Sequence, residues 1–88
     1  MLVEHTAEKR GRFDICADML RVLGSESGCN KAVLATRSNL DSRALSRYLG
    51  LLLRYELAQG TQGKRILMIS EKGRDYLRVY TKLVALLD

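Results

Sequence analysis

The stretch NLDSRALSRYLGLLLRYELAQG, residues 39–60, sorts its arginines and leucines by helical spacing instead of mixing them. Leu45, Tyr48, Leu49 and Leu52 fall at i, i+3, i+4 and i+7, the positions a helical repeat gathers on one side. Arg43, Ser46, Arg47 and Gly50 follow the same spacing on the other side. One face is therefore apolar. The other is basic and hydroxyl-bearing, with Gly50 placing no side chain in the way of a large neighbouring surface. Asp41 stands just ahead of the pattern, where a short carboxylate caps free amides, so the spacing predicts a helix with Ser42 and Arg43 in its first turn.

Upstream, RFDICADMLRVLG puts Phe13, Ile15, Cys16, Met19, Leu20 and Leu23 on one broad stripe and ends at Gly24, expected as a C-cap. SESGCN reads as a turn, residues 31–37 as a short helix with Val33 and Leu34 inward, and SNLD as a break anchored by Leu40. Two helices joined by so tight a connection form a helix-turn-helix candidate. Downstream, LAQ, GTQGKR and ILMIS read as strand, Gly-bounded loop and strand, a hairpin. Ser70 is then expected to cap a last helix from Glu71, in which Tyr76, Leu77, Tyr80, Leu83, Val84 and Leu87 repeat at near-heptad spacing.

Three helices, a β-hairpin wing and a C-terminal helix make an α+β, mainly α, winged helix-turn-helix. The expected division is a flexible N-terminal segment over 1–11, the winged helix over 12–69, and a C-terminal dimerisation helix over 70–88 packed on the same domain. A chain of 88 residues, 47% hydrophobic and 28% charged, has room for one domain and is too apolar for disorder. No apolar run reaches the length that spans a bilayer. MLVEHTAEKRGR has no apolar signal-peptide core, so a cytoplasmic location is expected, with Cys16 and Cys29 reduced and serving as packing residues. Those two cysteines and His5 have no metal-ligand spacing. With no Gly-rich phosphate loop and no readable carboxylate pair, no enzyme activity, cofactor, metal or small-molecule ligand is expected.

The net charge of +5 is local. Residues 27–69 hold seven basic side chains (Lys31, Arg37, Arg43, Arg47, Arg54, Lys64, Arg65) against Asp41 and Glu56, while the flanks hold eight of each sign. A concentrated excess of this kind suits a polyanion, through phosphate neutralisation and counterion release. A helix with polar donors in its first turns suits the DNA major groove. Arg43 and Arg47 are the expected groove contacts, because a guanidinium bonds two acceptors on guanine or clamps a phosphate. Ser42 and Ser46 are expected to donate to phosphates or base edges, Lys31 to meet a phosphate at the start of the second helix, and Lys64 and Arg65 to reach the minor groove or backbone from the hairpin. Tyr48, set among leucines, reads as core, and no exposed aromatic cluster suggests stacking on single-stranded RNA. A protein-docking module, the competing reading, calls for an apolar or acidic patch where this helix carries arginines.

GCNKAVLATRSNLDSRALSRYLGLLLRYELA followed by ILMISEKGRDYL also resembles the small archaeal winged helix-turn-helix proteins. The matching positions are Lys31, Asn39, Leu40, Arg47, Tyr48, Glu56, Ser70, Lys72 and Gly73, and the resemblance covers most of residues 13–87. It implies a double-stranded DNA-binding homodimer joined through its C-terminal helices, either chromatin-associated or a transcriptional regulator. The sequence supports the dimer independently: in TKLVALLD, the leucines and valine follow one another with no later element to cover them. Tyr76, Tyr80, Leu83, Val84 and Leu87 are the expected interface.

Overall fold

The computed structural model describes residues 10–61, 63 and 65–88; Lys64 and His5, both weighed above, lie outside the described residues. Helix α1 spans Arg12–Ser25, and the Asp14 carboxylate accepts a 3.0 Å bond from the Gly11 amide at its start. It buries Ile15, Cys16, Ala17, Met19, Leu20 and Leu23. Two details depart from the sequence reading. Phe13 is 68% exposed: Tyr76 donates to its carbonyl at 2.7 Å, while the ring stays outside beside Arg12. The helix also continues through Gly24, and the left-handed backbone comes later, at Ser27 (φ 57°) and Gly28 (φ 96°). Gly28 is where a glycine is needed: a Cβ there would lie 2.9 Å from the Leu67 carbonyl oxygen.

Helix α2 (Lys31–Ser38) is capped by Asn30, whose side chain accepts from the Val33 amide at 2.9 Å. It closes with Asn39 in the left-handed region (φ 58°), while the Leu40 amide bonds the Ala35 carbonyl at 2.9 Å and the Asn39 amide bonds Thr36 at 3.2 Å. That pair of reversed bonds satisfies carbonyls the helix end leaves open. Helix α3 (Ser42–Arg54) begins as the sequence predicts, with Asp41 Oδ1 accepting from the Ala44 amide at 2.8 Å. It ends through Glu56 at φ 61° and a 2.8 Å bond from the Leu57 amide to the Leu52 carbonyl.

Strands β1 (Ala58–Gly60) and β2 (Leu67–Ile69) pair antiparallel, Ala58 opposite Ile69 and Gly60 opposite Leu67. Leu67 and Ile69 point into the core and Met68 points out, the alternation a half-covered strand requires. Cys29, read as a packing residue, is buried and also exchanges two backbone bonds with Leu67, at 3.0 and 2.8 Å, which fixes the start of α2 to the hairpin. Helix α4 (Glu71–Leu87) is capped by Ser70, whose Oγ accepts from the Gly73 amide at 3.0 Å, and it packs on α1 and β2.

The core lies where α1, α2, α3 and β2 meet. Met19, Leu20, Leu23, Leu34 and Leu52 are wholly inside it, each burial favouring the fold by about 1.5 to 3 kcal/mol. Leu45 and Leu49 complete the inner face of α3, and Tyr48 packs half-buried against the same cluster, as its place among the leucines predicts.

Candidate nucleic-acid interface

Burial of Leu45, Leu49 and Leu52 fixes the rotation of α3, and the opposite side is open. Ser42, Arg43, Ser46, Arg47 and Gly50 are all exposed. Among the described residues, no ion pair engages Arg43, Arg47, Lys31 or Arg65. Arg37, by contrast, is paired with Glu26, the residue that follows α1, so part of the excess charge of the central segment is already used within the fold. The Arg47 guanidinium lies 5.9 Å from the centre of the Tyr48 ring, a cation–π distance that gives this long side chain a resting place beside the core.

The hairpin brings a second cationic pair together. Lys31, in the first turn of α2, and Arg65, ahead of β2, line one cleft of about 600 Å³ with Asn30, Gly60 and Ile66. Their proximity follows from the Cys29–Leu67 backbone bonds. The amide-rich start of α2 adds partial positive charge to the same cleft. Lys64 lies outside the described residues, so the expected hairpin pair is represented here by Arg65 alone.

These elements identify the architecture. The sequence model of the winged helix-turn-helix family matches residues 9–87. The chain belongs to the winged helix-turn-helix family. No curated protein matches it. In the winged helix, α2 and α3 form the helix-turn-helix and β1–β2 the wing, an arrangement that suggests DNA binding and is typical of domains without catalytic activity.

Sequence reasoning missed Arg10, given above to the N-terminal segment. Its guanidinium bonds Asp18 at 2.8 Å and the carbonyls of Ser38 and Asn39 at 2.9 and 3.0 Å. Bonds to main-chain carbonyls leave no residue-type signature at the accepting positions, so no pattern in the sequence could have revealed them.

The winged helix also carries an apolar face. Phe13, Val79, Leu83, Leu86 and Leu87 are 52–81% exposed, and Val84 is 38% exposed. A groove of about 480 Å³ runs between Phe13 and α4, lined by Leu57, Tyr76, Val79, Tyr80 and Leu83. Tyr76 and Tyr80 stack with their centroids 6.3 Å apart, but both hydroxyls are held by α1, Tyr76 at the Phe13 carbonyl and Tyr80 at Asp14. Burial pushes the Tyr76 phenol up to about 12. The bond to Asp14 pushes Tyr80 up to about 12 as well, and the same bond, with the Gly11 amide, lowers the Asp14 carboxyl from its ordinary 3.8. Burial raises both cysteine thiols, which disfavours their reactive thiolate form. Among the described residues, no His, Cys, Asp or Glu group could hold a metal ion, and no helix is long and apolar enough to cross a membrane.

Proposed function

We propose that this winged helix binds double-stranded DNA as a homodimer and regulates transcription, with α3 lying in the major groove. The observation that carries the reading is the open side of α3: two arginines and two serines around Gly50, opposite a leucine face that fixes their direction. Arg43 and Arg47 are assigned to base edges and adjacent phosphates, Ser42 and Ser46 to donor contacts beside them. Lys31 and Arg65, facing one cleft, are assigned to the sugar-phosphate backbone, and Lys64, next to Arg65 in sequence, is assigned with them. Two copies are assigned to meet through the apolar face of α4, in which Leu83, Val84 and Leu87 are joined by Phe13, Val79 and Leu86. Tyr76 and Tyr80 line the groove with their rings, their hydroxyls being engaged by α1.

Two neighbouring readings differ in what they require. General chromatin coating needs the same cations but no preference among sequences. A protein-docking module would use the apolar face, which belongs to α1 and α4 and leaves the arginine side of α3 without a role. Titration of the protein against random duplex, and against duplex selected from a random pool, at two salt concentrations separates the three. The regulator gives a salt-dependent affinity and a clear preference for the selected pool. Salt dependence without preference supports coating, and no duplex binding at low salt rejects both.

A further inference from the structure

Arg10 stands outside every regular element, yet its side chain is only 18% exposed, and it bonds two parts of the fold that are distant in sequence. One anchor is Asp18, in the middle of α1, flanked by Ala17 and Met19, both wholly buried. The other is the end of α2, where the Ser38 and Asn39 carbonyls have no onward helical partner. A guanidinium placed at the carbonyl end of a helix is favoured both by the hydrogen bonds and by the sign of the helix dipole.

The position of this clamp matters more than its strength. Asn39 is the left-handed residue that reverses the chain after α2, and Asp41, two residues on, caps α3. Any rotation of the Asn39 peptide is passed directly to Asp41, and from there to Ser42 and Arg43 in the first turn of α3. Apolar packing of Leu45, Leu49 and Leu52 sets the roll of α3, but leaves its first turn to be held by the connection before it. Arg10 ties that connection to the most deeply buried helix in the molecule. Lysine would substitute only in part, because one ammonium keeps the charge but cannot present the planar fork that serves a carboxylate and two carbonyls at once.

We infer that Arg10 is a positioning residue for α3: by bonding Asp18, Ser38 and Asn39 together, it fixes the angle at which Arg43 is offered to DNA. The functional half of this inference rests on the DNA-binding reading above; the structural half does not. Arg10 is not assigned as a phosphate contact, since three of its N–H donors are engaged within the fold and its side chain is largely covered.

The test uses the full chain with Arg10→Gln, Arg10→Lys and Asp18→Asn, each checked for folding by circular dichroism. In the free protein, amide exchange at Asn39 and Leu40 should accelerate in Arg10→Gln while the amides of α1 keep their protection. Affinity for the duplex that the parent selects from a random pool should fall on the order of tenfold, about the worth of one base contact. Arg10→Lys should recover part of the loss. The slope of log K against log salt should stay at the parent value in all three. Unchanged exchange at Asn39 and Leu40 overturns the clamp. Unchanged affinity in folded Arg10→Gln overturns the positioning role, and so does a slope flatter by about one unit, which would make Arg10 a phosphate ligand. If the parent binds no duplex, the DNA reading fails, while the exchange result still decides whether Arg10 holds the turn. Should Arg10→Gln not fold, Asp18→Asn removes only the charge partner and is read against the same outcomes.

Discussion

Gly73 lies so close to the Leu57 backbone that a Cβ added to the glycine would stand 2.2 Å from the Leu57 carbonyl oxygen and 2.7 Å from Ile69 Cγ1. The contact is the hinge between hairpin and last helix. That carbonyl also accepts a 3.0 Å bond from the Ser70 amide, and the Ser70 hydroxyl donates to the Glu56 carbonyl at 2.6 Å. Gly73→Ala must therefore push α4 away from the segment that joins α3 to β1 and from β2. A loss of about 3 kcal/mol is expected, the upper end of ordinary overpacking, read as a lower urea midpoint. An unchanged midpoint would mean that α4 does not sit against Leu57.

Gly50 makes the opposite case. A Cβ there meets nothing within 4 Å, and the residue is in mid-helix, so Gly50→Ala should stabilise the fold by about 0.5 to 1 kcal/mol. The same methyl group would project from the proposed DNA face, so duplex affinity should fall although the protein becomes more stable. A rise in affinity along with stability would show that the Gly50 side of α3 does not approach DNA.

The Asp14–Tyr80 bond gives stability a pH window. Asp14 is lowered from 3.8 in the folded chain, so the unfolded chain binds more protons as pH falls through that value, and the contribution of the bond is lost on the acid side. Tyr80 is raised to about 12 from 10, so its contribution is present below 10 and lost as pH rises from 10 towards 12. Denaturation midpoints for Asp14→Asn against the parent should differ across the neutral range and converge at both extremes. A constant difference from acid to alkali would remove the ionised bond as the cause.

Much of this architecture was legible in the sequence because capping chemistry and periodicity agree with packing. Asp41, Asn39 and Ser70 each stand at an element boundary, and Leu45, Leu49 and Leu52 of α3 face inward as their spacing requires. Phe13 misled because helical phase places a residue on a face without saying how far the covering elements extend. Gly24 misled for a related reason: a glycine near a helix end resembles a C-cap, and the close approach that demands one came four residues later, at Gly28. Lys31 and Arg65 could each be read as cations at element starts. Their shared cleft could not, since it depends on Cys29 pairing with Leu67.

Loss of the two arginines assigned to the major groove should weaken binding differently from loss of the cleft cations. Arg43→Ala with Arg47→Ala should lower affinity for the selected duplex by more than tenfold and erode its preference over random duplex, each base contact being worth about 1 to 3 kcal/mol. Lys31→Ala with Arg65→Ala should weaken all duplexes alike and flatten the slope of log K against log salt by about two units, one per phosphate contact. Equal discrimination in the parent and the Arg43–Arg47 variant would place base reading elsewhere.

The proposed assembly rests on the apolar face of α4. Val79, Leu83, Leu86 and Leu87 are exposed along one helix, and Phe13 on α1 extends them past the groove that Tyr76 and Tyr80 line. Withdrawing each such side chain from water is worth roughly 1.5 to 3 kcal/mol, so several per subunit, counted on both partners, outweigh an association cost of about 4 to 15 kcal/mol. A two-fold contact uses the same patch twice, and the open groove beside Phe13 gives that ring of one copy a place against the helix of the other. Leu83→Asp with Leu87→Asp should therefore convert a dimer to a monomer in light scattering at tens of micromolar. Phe13→Ser should weaken the dimer without unfolding the chain, because its ring is already in water in the single copy. Tyr80→Phe should leave the dimer intact, since the lost hydroxyl belongs to Asp14 of its own chain. A parent that is monomeric at that concentration, or a doubly substituted chain that stays dimeric, would remove the α4 interface.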